Sequence, residues 1–195
     1  GLAGMFSGSA YYPFAHGSIV KLNLDGTATL FTGNVEFGQG SDTAMSQIAA
    51  EELGVELKDI GLVSNDSELC PPDYGNWLSG GIYVSGEAVR RAAADARRQL
   101  VEDVSEVLKV KTDDLEVKVG RVYLKDNPEK GLSFAEVVRD SIQRRGGNPI
   151  IGVGYCKPVP QIEFYPSISK GAGRFTDAYG LTAAVAEVEV DRETG

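Results

Sequence analysis

At 195 residues with 42% hydrophobic side chains, the chain is long enough to bury one core or two small ones. Lys plus Arg number 19 against 28 Asp plus Glu, a net charge of -9. That balance repels a phosphate backbone, so nucleic acid is excluded as a partner. No run approaches the ~20 consecutive apolar residues of a membrane span, and the opening GLAGMFSGSAYYPFAHG lacks the layout of a secretory signal. The expectation is a soluble, cytoplasmic protein with no membrane span.

Taken in chain order, residues 18–24 alternate apolar and polar side chains, Asp25 and Gly26 supply a turn, and residues 27–32 alternate again. This predicts a hairpin. A glycine-flanked loop then leads into a helix with Met45, Ile48, Ala49 and Leu53 on one face, Ser41 or Asp42 as its cap, and Gly54 at its end. A short strand is predicted over 60–63. The loop over 66–81 carries two prolines and three glycines, a length that marks function or disorder. Residues 86–108 form an amphipathic helix with Val89, Ala93, Ala96, Leu100, Val104 and Val107 on one stripe. Its alanines suit it to close packing.

Farther on, residues 115–124 read as a second hairpin around Gly120. Ser133 and Glu136 form a capping box, with Leu132 and Val137 as a staple, for a helix reaching about Arg145. Residues 149–154 read as a strand, 157–179 as irregular, and 181–190 as a strand. Hairpins mixed with helices predict an α+β architecture of two layers, mixed β-sheets covered by helices. Both ends read as cut from a longer polypeptide: the chain opens without Met and stops on a strand running into a turn, VEVDRETG. The whole of 1–195 is expected to be one fragment, divisible into subdomains 1–110 and 111–195.

Chemistry is sparse. Cys70 and Cys156 lack CxxC spacing, so neither a zinc site nor a disulfide framework is indicated, and both read as reduced thiols. His16, the only histidine, is expected to do no chemistry, because one imidazole supplies neither a histidine cluster nor, without a nucleophile beside it, a triad. Glu51 and Glu52 are adjacent on a helix and point apart. Arg90, Arg91, Arg97 and Arg98 alternate with Asp95 and Glu102 and read as a solvated face.

Two constellations remain. In Glu36, Phe37, Gly38, Gln39 and Gly40, glycines let backbone approach a bound group while Gln39 offers one acceptor and two donors, just ahead of a helix N-terminus that favours an anion. In GNWLSGG, residues 75–81, the Ser79 hydroxyl and the backbone N–H groups through Gly80 and Gly81 suit a phosphate. The P-loop spacing and its lysine are missing. Taken alone, each segment also fits an ordinary connection. Together they suggest one pocket that holds a ligand without an acid–base pair.

The segment VEFGQGSDTAMSQIAAEELGV resembles the large subunits of molybdenum hydroxylases, the xanthine dehydrogenase, aldehyde oxidase and carbon monoxide dehydrogenase family. The resemblance continues through Asp66 and Ser67, Pro72, Gly75, the helix start over 84–89 and the closing AAVAEVEVDRETG. It implies a molybdenum-cofactor-binding-domain-like fold and a molybdopterin cofactor, as the cytosine dinucleotide or a simpler form. The implied activity is hydroxylation of an aldehyde, N-heterocycle or related small substrate with water oxygen. Implied partners are 2Fe-2S and FAD subunits or domains.

By position, Gln39 would sit near a molybdenum oxo ligand, with Phe37, Gly38 and Gly40 lining the pterin. Leu78, Ser79, Gly80 and Gly81 would hold its phosphate, and residues 10–12 would lie near the substrate pocket. Relatives tend to carry Ser and sometimes Arg where Gly80, Gly81 and Ile82 stand, which shifts phosphate binding toward backbone donors. The family's catalytic glutamate would lie beyond Gly195, so no catalytic residue is assigned and the fragment is expected to be empty and inactive alone. Two alternatives are a non-catalytic binding or assembly module with a degenerate site and, less well matched, a phosphate-ester enzyme.

Overall fold

The computed structural model describes residues 2–8, 15–76, 79–157 and 179–195. Its contacts separate two compact units, Tyr12–Pro158 and the pairing of Gly1–Tyr11 with Val159–Gly195. This is a different division from the expected 1–110 and 111–195.

In the larger unit, β2 (His16–Leu22) and β3 (Ala28–Thr32) form the predicted hairpin, in register from Ser18 opposite Thr32 to Leu22 opposite Ala28. Asp25 closes its turn by accepting from the Thr27 N–H at 3.0 Å and the Thr27 hydroxyl at 2.7 Å. Helix α1 (Ser41–Leu53) carries the chain to β4 (Ile60–Ser64), which lies parallel to β3. β8 (Ile151–Cys156) returns antiparallel along β2 and completes the strand order β4-β3-β2-β8. That return is why no boundary falls at residue 110: the two halves share one sheet.

Helix α2 (Gly86–Leu108) buries Ala88, Val89, Ala92, Ala93, Ala96, Leu100 and Val104, while Val107 at the end of the predicted stripe is 41% exposed. The alanines pack as their size suggests, against β8, where a Cβ added at Gly152 or Gly154 would overlap the backbone of α2. Strand β8 therefore inverts the usual pattern, turning glycine inward and Ile151, Val153 and Tyr155 outward.

A second sheet joins β5 (Leu115–Lys118), β6 (Arg121–Leu124) and β7 (Asn127–Ser133). β7 was not predicted, since NPEKGLS holds a proline, charges and a glycine in place of alternating apolar residues. It delivers Ser133 to the capping box of α3 (Phe134–Arg144), whose Phe134, Val137 and Val138 join the same core as α1 and α2. Burying such a side chain contributes roughly 1.5–3 kcal/mol.

In the smaller unit, β1 (Leu2–Gly8) pairs antiparallel with β9 (Tyr179–Val185). The strand expected over 181–190 ends at Val185, which pairs with Leu2. Among the described residues, no helix is long and apolar enough to cross a membrane.

Candidate functional site

Beyond β3 the backbone bends through Asn34 to Gly40 before α1 begins. The Glu36 carboxylate folds back over the start of that helix, accepting from the N–H groups of Gly38 at 2.6 Å, Gly40 at 3.1 Å and Asp42 at 3.2 Å. The Gly40 N–H first, then that of Gly38, holds the Glu36 carboxyl below the usual glutamate pKa. This corrects the expected cap. Gly40 stands at the N-cap without a side chain, Ser41 is buried within the helix, and the acceptor role falls to Glu36.

Gln39 is exposed, yet its amide is bonded locally. Its amide donates to the Val35 carbonyl at 2.7 Å and the Ser41 hydroxyl at 3.0 Å, and its oxygen accepts from the Phe37 N–H at 2.8 Å. What the loop shows to solvent is different: Phe37 is 70% exposed, and a Cβ at Gly38 or Gly40 would meet nothing within 4 Å. An aromatic side chain and bare backbone therefore border open space.

The second loop is anchored by buried polar groups. Asp73 accepts from the Ser85 hydroxyl at 2.6 Å and the Gly75 N–H at 2.7 Å and lies 2.8 Å from His16 Nδ1. Burial pushes the Asp73 carboxyl up, and the contacts with His16, Ser85 and Gly75 outweigh it, leaving the group more acidic than a free aspartate. Ser85 also lies 2.9 Å from the same His16 nitrogen. A triad needs its nucleophile and its carboxylate on opposite ring nitrogens, so this cluster serves as a tether for the loop.

The structure brings the two predicted loops together at one joint. Asn34 donates to Asn76 Oδ1 at 2.7 Å and to the Ser85 hydroxyl at 3.2 Å, while Asn76 donates to the Val35 carbonyl at 2.8 Å. That carbonyl is the one Gln39 also uses. Gly80 and Gly81 are buried beside the joint, Ser79 is exposed with φ 57°, and Leu78 and residues 10–12 lie outside the described residues. A single wide turn, Gly81–Ser85, opens into α2, and the first N–H groups of a helix have no partner within it. A cavity of about 490 Å³ beside the joint is lined by Gly33, Val35, Asp66, Cys70, Pro71 and Asp73. A larger one, about 670 Å³, lies by Ile48, Glu52 and Arg90 and includes none of the predicted residues.

The polar face of α2 is not wholly solvated. Arg91 donates to the Tyr155 carbonyl at 2.8 Å, Gln99 to the Ile151 carbonyl at 2.8 Å, and Asp95 accepts from the Val153 N–H at 3.2 Å. These three side chains, one helical turn apart, close the edge of β8. Sequence reasoning misses Asn34, Asn76 and Asp73 because the Asn34–Asn76 pair is 42 residues apart and His16 lies 57 residues from Asp73, where no local pattern reports them.

Two glycine-rich loops are thus joined ahead of helix starts on an α+β scaffold. The chain belongs to the family described as the molybdopterin cofactor-binding domain, which it matches over residues 1–195. It is 30% identical over 182 residues to the 6-hydroxypseudooxynicotine dehydrogenase complex subunit gamma of Paenarthrobacter nicotinovorans, covering 90% of this chain and 21% of that protein. It is 32% identical over 135 residues to a putative xanthine dehydrogenase molybdenum-binding subunit of Escherichia coli, covering 67% of this chain and 18% of that protein. The reconstituted CO dehydrogenase from Oligotropha carboxidovorans shares the fold with a TM-score of 0.71 at 24% identity, over 81% of this chain and 21% of that one. The chain thus spans about a fifth of the relatives it matches, and the family is one of molybdenum-dependent oxidoreductases.

Proposed function

We propose that Phe37, Gly38, Gln39 and Gly40 on one loop and Leu78, Ser79, Gly80 and Gly81 on the other form part of a molybdopterin site. The observation that supports this reading is the shared acceptor: the Val35 carbonyl takes hydrogen bonds from Gln39 at 2.7 Å and Asn76 at 2.8 Å, so both loops end at one place. The residues fit such a group. Phe37 offers a ring to a planar pterin, Gly38 and Gly40 leave room above their backbone, and the buried Gly80 and Gly81 at the head of a helix suit a phosphate or the pyrophosphate of a cytosine dinucleotide. For Gln39 to donate to a ligand, its amide nitrogen must release the Val35 carbonyl or the Ser41 hydroxyl.

When bound, the cofactor supplies redox chemistry at molybdenum. In this reading, the longer protein hydroxylates an aldehyde, N-heterocycle or related small substrate with water oxygen, in the cytoplasm. Its electrons pass to 2Fe-2S and FAD carriers in partner subunits or domains. Neither loop carries an acid–base pair, and a ligand held by only two of several segments loses most of its contacts. The 195-residue chain is therefore inactive alone.

A second reading is a binding module with a degenerate site. One observation favours it: the Glu36 carboxylate already fills the start of α1, where an oxo or anionic group was expected. Molybdenum and pterin content of the full-length protein, matured in a host that loads a related enzyme, separates the two. About one of each per chain supports the cofactor reading, and their absence supports the module.

A further inference from the structure

We infer that Asn76 is a positioning residue: its amide stands where a side chain at position 81 would go and locks the Gln39 loop to the Gly80–Gly81 loop as one unit. The inference rests on the cofactor reading for its functional meaning, though the joint itself is a matter of geometry. A Cβ added at Gly81 would overlap Asn76 Oδ1, come 2.9 Å from its Cγ and lie 3.5 Å from Asn34 Nδ2. Glycine at 81 is thus the condition for the amide to be there. Once seated, the amide uses both ends. Oδ1 accepts from Asn34, which is 1% exposed, and Nδ2 donates to the Val35 carbonyl immediately before the Glu36 and Gln39 turn.

Asn34 extends the link to Ser85, inside the turn that opens α2. A displacement of either loop therefore stretches hydrogen bonds in the other. The side chain that a serine or alanine at 81 would bring competes with the joint for the same space. In this chain, the two halves of the site are preassembled by Asn76, at the start of the second glycine motif, and ligand recognition by one half depends on the geometry of the other.

The test is hydrogen exchange on the full-length protein, read at the amides of Phe37, Gly38 and Gly40, with amides inside α2 as the internal reference. Asn76→Ala should speed exchange at the three loop amides about fivefold, the fold-change equivalent to ~1 kcal/mol, and leave α2 unchanged. Asn76→Asp, which keeps the acceptor for Asn34 and loses the donor to Val35, should do the same. Gly81→Ala should lower the thermal midpoint and speed loop exchange. Adding Asn76→Gly to it should recover the midpoint and leave the loop fast, a split that a purely steric role would not produce. Unchanged loop exchange in both Asn76→Ala and Asn76→Asp overturns the inference. Pterin content of the unsubstituted protein is scored separately. Its absence counts against the cofactor reading, whereas the exchange pattern decides the joint.

Discussion

Gly152 faces Ala96 so closely that a Cβ built on the glycine would come 2.9 Å from the alanine methyl and overlap the backbone of α2. The approach of β8 to α2 depends on the absence of side chains there, at Gly152 and again at Gly154 opposite Ala88 and Ala92. Gly152→Val should destabilise the protein by roughly 3 kcal/mol, the upper range of overpacking a close-packed core. Urea denaturation checks this. A midpoint within error of the parent would mean that the helix and strand can separate freely.

The closed edge of β8 gives a second prediction. Arg91, Asp95 and Gln99 occupy the carbonyls of Tyr155 and Ile151 and the N–H of Val153, groups that an unprotected edge strand offers to another chain. Replacing Asp95 and Gln99 together by alanine should produce concentration-dependent association, visible by size-exclusion chromatography with light scattering. A variant that elutes as the parent does at every concentration contradicts the role.

Parts of this architecture are readable from sequence and parts are not, for physical reasons. Helix α3 follows from a local device, the box in which the Glu136 N–H reaches the Ser133 hydroxyl at 3.3 Å and the Ser133 N–H reaches the Glu136 carboxylate at 2.8 Å. Hairpin β2–β3 and the alanine stripe of α2 are likewise written in spacing. β7 is not, because its strand character comes from pairing with β6 and not from its own residues. The candidate loops were legible as glycine-rich segments, yet their closure by Glu36 and their union by Asn34 and Asn76 depend on groups met only through the fold.

Acid should loosen the second loop through Asp73. Because the folded protein holds this carboxyl below its usual value, its stabilising contribution is full above the ordinary aspartate pKa of about 4. That contribution is lost as pH falls through the lower folded value. Asp73→Asn removes that titration, so its thermal midpoint should start lower at pH 7 and fall less steeply between about pH 5 and pH 2. Parallel curves for parent and variant would show that Asp73 does not couple folding to pH.

Glu36→Ala deprives the N–H groups of Gly38, Gly40 and Asp42 of their shared acceptor. Exchange at these three amides should accelerate, while the C-terminal half of α1, closed by Gly54 donating to the Ala50 carbonyl at 2.9 Å, keeps its protection. Uniform acceleration across α1 would instead mean that Glu36 supports the whole helix.

Both joined loops together are proposed to hold a molybdopterin. The most direct test of this proposal is molybdenum and pterin analysis of the full-length protein purified gently from a host that loads a related enzyme, beside its Gly81→Ala variant. About one molybdenum and one pterin per chain are expected in the parent, with a clear loss of both in the variant. A parent without either, from cells that load the control, would contradict the proposal.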